Sequence, residues 1–225
     1  MREGKKIMTK RRSRGFTMIE LVFVIVVIGI LAALAIPRLK RDIRQEAADN
    51  ILSAIRYTQH LALIDDKQSF NDPKWQGRFW AIQFTVSSSN VLNNFYTISS
   101  DTDNDTNVDK NETAIDPANG KYIYNAGGAT TAINADESPN IFIGKKYGVN
   151  SLTTSGDCNG TQTIGFDHLG RPHVGFLGSG TPDSSSYMSR DCKLTFGFKD
   201  SSLNPLSIII TKETGYAYIE GQPGS

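Results

Sequence analysis

Sixteen consecutive residues without a charge, 21–36 (LVFVIVVIGILAALAI), most limit what this 225-residue chain can become. Extending the run back to Phe16 admits only Thr17 and Glu20 as polar side chains. At ~1.5 Å per residue the extended run covers roughly the 30 Å of a bilayer's hydrocarbon core. Before it stand Arg2, Lys5, Lys6, Lys10, Arg11, Arg12 and Arg14 against one acid, Glu3. By the positive-inside rule this block stays cytoplasmic, and everything after the run lies beyond the inner membrane. Glu20 is the anomaly, because a carboxylate near the centre of such a segment costs about 2.5–3.5 kcal/mol on insertion scales and therefore points to function. A plain signal anchor leaves Glu20 unexplained. A cleaved secretory signal does too, and it needs small residues at its cleavage site, which Ile36-Pro37-Arg38 does not supply.

Beyond Pro37 the pattern turns from apolar all round to amphipathic. Ile43, Ala47, Ile51, Ala54, Ile55, Thr58 and Ala62 recur every three or four residues, with Arg41, Asp42, Arg44, Glu46, Asp49 and Arg56 between them. This predicts one helix over about 16–64, about 75 Å long, kinked between Gly29 and Pro37, since proline removes a helical hydrogen bond. An ordinary membrane-helix kink accounts for Gly29 and Pro37 equally well. The second half of the helix needs a surface to cover. Short β-like runs at 78–86, 94–99, 121–124, 140–143, 162–168, 173–177, 193–198, 206–211 and 216–220, separated by Gly, Asn, Asp and Ser, supply it. The expected fold is α+β, a long N-terminal helix packed on a C-terminal antiparallel sheet. It divides into a leader (1–15), a membrane or filament-core half-helix (16–37), an amphipathic half-helix (38–66) and a β-rich globular domain (67–225).

Charge narrows the function. Of 24 Lys+Arg and 23 Asp+Glu, seven and one lie in the first fifteen residues, which leaves 17 against 22 in the remainder. So acidic a body disfavours nucleic acid as a partner, because neutralising phosphates takes a basic face. A DNA-capturing tip would want clustered Arg or Lys on an exposed loop or tail, whereas the C-terminal stretch is acidic and the nearest basic groups are Lys145, Lys146 and Arg171. A membrane-tethered enzyme finds little beyond His60, His168, His173 and many serines, with no nucleophile elbow.

The segment Arg14-Gly15-Phe16-Thr17-Met18-Ile19-Glu20-Leu21 resembles the processing site of type IV prepilins and of the pseudopilins of type II secretion systems. The likeness covers about a quarter of the chain. It implies cleavage between Gly15 and Phe16 by an inner-membrane prepilin peptidase, methylation of the new Phe16 amine, and pairing of Glu20 with a neighbour's amine so that neither charge stands alone in an apolar bundle. It implies a structural, non-catalytic subunit held in the inner membrane with its body in the periplasm, then drawn into a filament with other pilins or pseudopilins by a platform protein and its ATPase. Two shorter stretches, 164–172 (IGFDHLGRP) and 214–218 (TGYAY), resemble hairpins of minor pseudopilins of the H type and of minor pilins. A minor pseudopilin of type II secretion is therefore the first expectation, a minor pilin of a type IV or competence pilus the second.

Three further features bear on the body. Residues 167–172 read as a tight β-turn with Gly170 at positive φ, an alternative to a His–Asp site built on Asp167, His168 and His173. Cys158 and Cys192 pair most simply with each other in an oxidising compartment, two buried free thiols being the alternative. Asp101, Asp103, Asp105, Asn107, Asp109 and Glu112 stand at the first, third, fifth, seventh, ninth and twelfth positions of a calcium loop of the EF-hand type, with Thr106 where that loop wants glycine. A solvated Asp/Asn-rich surface loop explains the same letters. Calcium is the only cofactor expected, and some pseudopilins hold it in their globular domains.

Overall fold

The structure is a computed structural model that describes residues 16–126, 134–178 and 180–224, with side chains 33–42 outside the description. The chain divides into two compact units, Met1–Lys40 and Arg41–Ser225, and helix α1 (Met18–Ile64) runs through the division. The helical assignment continues past Pro37, whose side chain lies outside those described.

In the second unit α1 does what its period predicts. Ala47, Ala48, Ile51, Leu52, Ala54, Ile55, Thr58 and Ala62 are buried, and Ile43 is not, being 38% exposed. The stripe is mostly small residues, so neighbouring backbone can approach closely, and Ile51 and Ile55 fill the space between. Thr58 is harmless in the core because its hydroxyl donates to the Ala54 carbonyl one turn back.

The body carries eight strands in two four-stranded antiparallel sheets rather than one. They are β1 (Trp80–Thr85), β2 (Phe95–Ser99), β3 (Val149–Gly156), β4 (Thr163–Phe166), β5 (Pro172–His173), β6 (Cys192–Phe198), β7 (Leu206–Ile210) and β8 (Ala217–Ile219). The first sheet has the order β2-β1-β4-β5 and the second β3-β6-β7-β8. Register follows the alternation of side chains: Ile82 stands opposite Ile98 and Ile164, and Leu194 opposite Ile208, all buried. Phe84 of the first sheet meets Phe196 of the second edge-on, ring centroids 5.3 Å apart, so both sheets and the helix share one core.

Two strand expectations need correction, and one strand was not expected. Residues 121–124 make only isolated bridges, Tyr122 with Ile115 and with Glu137. Residues 140–143 are helical instead, a 3-10 turn (Pro139–Ile141) capped by Ser138, followed by α2 (Ile143–Tyr147), which Gly148 ends at φ 76°. Strand β3 carried no clear signal because its sequence, VNSLTTSG, alternates weakly: it is the edge of its sheet, with Ser151, Thr153 and Ser155 exposed and only Val149 buried.

Cys158 and Cys192 form a disulfide with Cα atoms 5.3 Å apart. It closes a 34-residue separation containing β4 and β5, a constraint the chain-entropy account values at about 3–4 kcal/mol. The 167–172 turn is as expected, with Gly170 at φ 77° and β5 returning against β4.

The two hairpin stretches meet on the helix. Gln59 Nε2 donates to the carbonyls of Gly170 (2.8 Å) and Thr214 (2.7 Å), tying both turns to α1. Gly215, at φ 65°, lies directly over this junction, where a Cβ would collide with the Gly170 carbonyl and the Gln59 amide. Gly215→Ala is therefore expected to cost at least about 1–3 kcal/mol, read as a lowered midpoint in thermal or urea unfolding. An unchanged midpoint would show that the junction does not constrain the fold.

Candidate functional site

The motif around Phe16 opens α1 as a reciprocal cap. Thr17 is the last residue before the helix and Glu20 the third within it: the Glu20 backbone N–H donates to Thr17 Oγ1 (3.3 Å) and the Thr17 N–H to Glu20 Oε2 (3.4 Å). This is a capping box, which satisfies two of the orphan donors at the helix start and sets a carboxylate against the positive end of its dipole. The sequence pattern TMIE contained this cap, which the reading of Glu20 as a filament contact passed over. Gly15 and the leader lie outside the described residues. Phe16 is 74% exposed, and Met18, Ile19, Leu21, Val22 and Phe23 are exposed after it, a stretch of helix with large apolar side chains on every face. Among the described residues no helix is long and apolar enough to cross a membrane, and the described side chains of the apolar run stop at residue 32.

The acidic loop gathers part of its expected ligand set. Carboxylate oxygens of Asp101, Asp103 and Asp105 lie within 4.8 Å of one another. Asp109 and Glu112 fall outside that group: Glu112 instead accepts from the Thr102 backbone N–H and hydroxyl, both at 2.7 Å, and from the Asp109 N–H at 3.1 Å. It thereby caps the 3-10 turn Lys110–Glu112. The exposed Asn107 donates its backbone N–H to Asp105 Oδ1. Thr106 adopts φ 70°, the left-handed conformation that calcium loops assign to glycine, and its N–H donates to Asp101 Oδ2 at 2.9 Å. Burial, reinforced by the Glu112 charge, pushes the Asp101 carboxyl up despite its backbone donors. Burial also opposes ionisation of Glu112, but the hydrogen bonds from Thr102 and Asp109 outweigh it and hold its carboxyl low.

A third cluster joins residues the sequence left scattered. Asp167, His173 and Ser186 are 2%, 6% and 4% exposed. His173 Nδ1 sits 2.9 Å from Ser186 Oγ, and Nε2 3.4 Å from Asp167 Oδ2. The order carboxylate, imidazole, hydroxyl resembles a hydrolytic relay, but Ser186 Oγ donates to the Asp183 carbonyl (2.8 Å) and accepts from Gln76 Nε2 (2.6 Å). Buried and fully bonded, this hydroxyl has neither the free lone pair nor the access that a nucleophile needs. Its role is to pin loop 182–187 to the β4–β5 turn, and neither Ser186 nor Gln76 carried any sequence signal for it. Arg171 completes the turn, with Nε 2.7 Å and Nη2 2.6 Å from Asp167 Oδ2.

The N-terminal segment matches the family described as "Prokaryotic N-terminal methylation motif" over residues 10–36. The chain is 41% identical over 64 residues to the type IV major pilin protein PilA of Myxococcus xanthus. It is 42% identical over 59 residues to the type IV narrow pilus major component PilA5 of Thermus thermophilus. These stretches are 27% and 25% of this chain and cover 29% and 51% of the two relatives. No solved structure matches. The chain thus carries the methylation motif of type IV prepilins and is similar to type IV pilins through the motif and the helix that follows.

The buried carboxylates set a pH response. Burial alone would raise the Asp167 carboxyl, but the hydrogen bonds from His173 and Arg171 overcome it and hold the group well below the usual range. A carboxyl lowered on folding stabilises above its unfolded pKa of about 4 and loses that contribution as pH falls through its folded value. Glu112 acts in the same sense and Asp101 in the opposite one. Thermal unfolding is expected to fall from about pH 5 to about pH 3, and Asp167→Asn to lower the midpoint at pH 5 while flattening that acid limb. A variant with an undiminished acid limb would remove Asp167 as its source.

Proposed function

We propose that this chain is a structural subunit of a type IV pilus-like filament, cut between Gly15 and Phe16 by a prepilin peptidase and methylated on Phe16. The observation that carries the reading is the motif at residues 10–36, continuous with a helix whose described apolar side chains, from Met18 to Leu31, are mostly exposed. Such a helix needs lipid before assembly and other pilin helices after it. The proposal includes an inner-membrane stage with the body in the periplasm, a platform protein that draws the subunit into the fibre, and a kink at Gly29 and Pro37. Glu20, which caps its own helix in the single chain, would exchange one backbone donor for a neighbour's amine on assembly. The 16–37, 38–66 and 67–225 divisions follow the same logic.

The finer reading is a minor pseudopilin of a type II secretion system. What supports it is the convergence of the 164–172 and 214–218 stretches on Gln59. The two named relatives are major pilus components, and their likeness is confined to the N-terminal quarter, so a minor pilin of a type IV pilus is the second reading. Calcium at the acidic loop is also proposed, on the approach of Asp101, Asp103 and Asp105, with Asn107, Asp109 and Glu112 as the further ligands it would have to recruit.

Mass spectrometry of the N-terminal peptide from native membranes tests the first proposal. Methylated Phe16 is the expected terminus, and an intact Met1 would return the chain to an ordinary signal anchor. For calcium, the midpoint of thermal unfolding should rise with the ion, by about 2.7 kcal/mol of added stability at a hundredfold excess over Kd, and Asp101→Ala should abolish the rise. No response at millimolar calcium would dispose of the site.

A further inference from the structure

A cleft of about 480 Å³ opens beside the β4–β5 turn, between loop 182–187 and the segment holding Trp75 and Gln76. That is within the roughly 300–1,000 Å³ typical of ligand sites. Its frame is a row of four rings. Trp75 meets Phe79 edge-on with centroids 5.4 Å apart, Phe79 meets His173 at 4.9 Å, and His173 meets Tyr187 at 5.5 Å. Phe79 and His173, in the middle of the row, are buried, while Trp75 and Tyr187, at its ends, are partly exposed and line the cleft. The end rings are thus held by packing before anything binds. The Arg171 guanidinium, 5.3 Å from the Tyr187 centroid and anchored on Asp167, fixes the second of them further.

The second observation is an excess of donors. Gln76 is spent on the Asp183 backbone and Ser186, and the Asp183 carboxylate accepts from the N–H and hydroxyl of Ser185. Among the described residues the Trp75 indole N–H and the hydroxyls of Tyr187 and Ser184 have no hydrogen-bond partner. Arg171 engages Asp167 through Nε and Nη2, which leaves Nη1 over. The cleft therefore sets open donors beside two aromatic walls, with its guanidinium charge already answered.

We propose that this cleft docks a proline-rich segment of a partner polypeptide in the polyproline II conformation. Such a segment presents carbonyl acceptors with few N–H donors, and apolar rings that seat between aromatic side chains. Other ligand classes match the donor balance and charge less well. An anion would meet the Asp183 carboxylate, since the Arg171 charge is taken by Asp167. A cation would bring donors to walls that already have them in excess. A saccharide, whose hydroxyls donate as often as they accept, would leave its own donors short of acceptors.

Calorimetric titration of the full-length chain in nonionic detergent tests this with a decaproline peptide, a glycine–serine peptide of equal length, and maltose. Saturable binding of decaproline alone is expected. Tyr187→Phe keeps the ring and removes its hydroxyl, and should weaken that binding about five-fold, the worth of one hydrogen bond. Trp75→Phe removes the indole N–H and part of the wall, and should weaken it further. Ser184→Ala, at an exposed position, keeps the test valid should either ring variant fail to fold. The proposal is overturned if decaproline does not bind at millimolar concentration, if the glycine–serine peptide or maltose binds as well, or if the folded variants bind decaproline unchanged.

Discussion

Burial of one narrow stripe of α1 is the constraint on which the rest of the body depends. Ala47, Ala48, Ala54 and Ala62 keep that face flat, while Ile51 and Ile55, completely buried, each contribute about 1.5–3 kcal/mol of transfer free energy. Neither sheet covers a core alone; each has four strands and needs the helix and the other sheet to exclude water from its inner face. Polar groups then fix the register of helix on sheets. Arg44 donates to the carbonyls of Asn204 and Pro205, Arg56 to that of Ala217, and Gln59 to those of Gly170 and Thr214. These acceptors are backbone groups near strand ends, which would otherwise lose their water without compensation.

The same helix is chemically two objects. Its second half buries an amphipathic face in the core of the body, and the described side chains of its first half, from Met18 to Leu31, are mostly large, apolar and exposed. A soluble monomer does not ordinarily show such a surface, and the methylation motif at its head accounts for it under the proposed filament role. The Thr17–Glu20 cap adds a physical detail. In the single chain the carboxylate is engaged by the N-terminus of its own helix.

Away from the helix, the polar clusters are mostly self-satisfied. Asp167, His173, Ser186 and Gln76 are satisfied by one another together with Arg171 and the Asp183 backbone, and Glu112 is absorbed in a cap.

The sequence by itself determined the elements whose signal is local and periodic. The apolar run, the motif around Phe16 and Glu20, the helical stripe from Ala47 to Ala62 in steps of three and four, the Gly170 turn and most strands of alternating pattern were all legible, because each is dictated by residues within a few positions of one another. Only the tertiary structure decided what depends on distant partners. It split the strands into two sheets, bent 139–147 into helical turns, recruited the weakly alternating β3 as an edge, and paired Cys158 with Cys192 where free thiols had been an alternative. It also separated Glu112 from the carboxylates it was expected to join, because nearby backbone donors claimed it first. Hydrogen bonds and close packing between residues over a hundred positions apart, as between Gln59 and Gly170 or Gln76 and Ser186, have no signature in the local order of side chains, since each donor meets its acceptor only after the core has brought the two segments together.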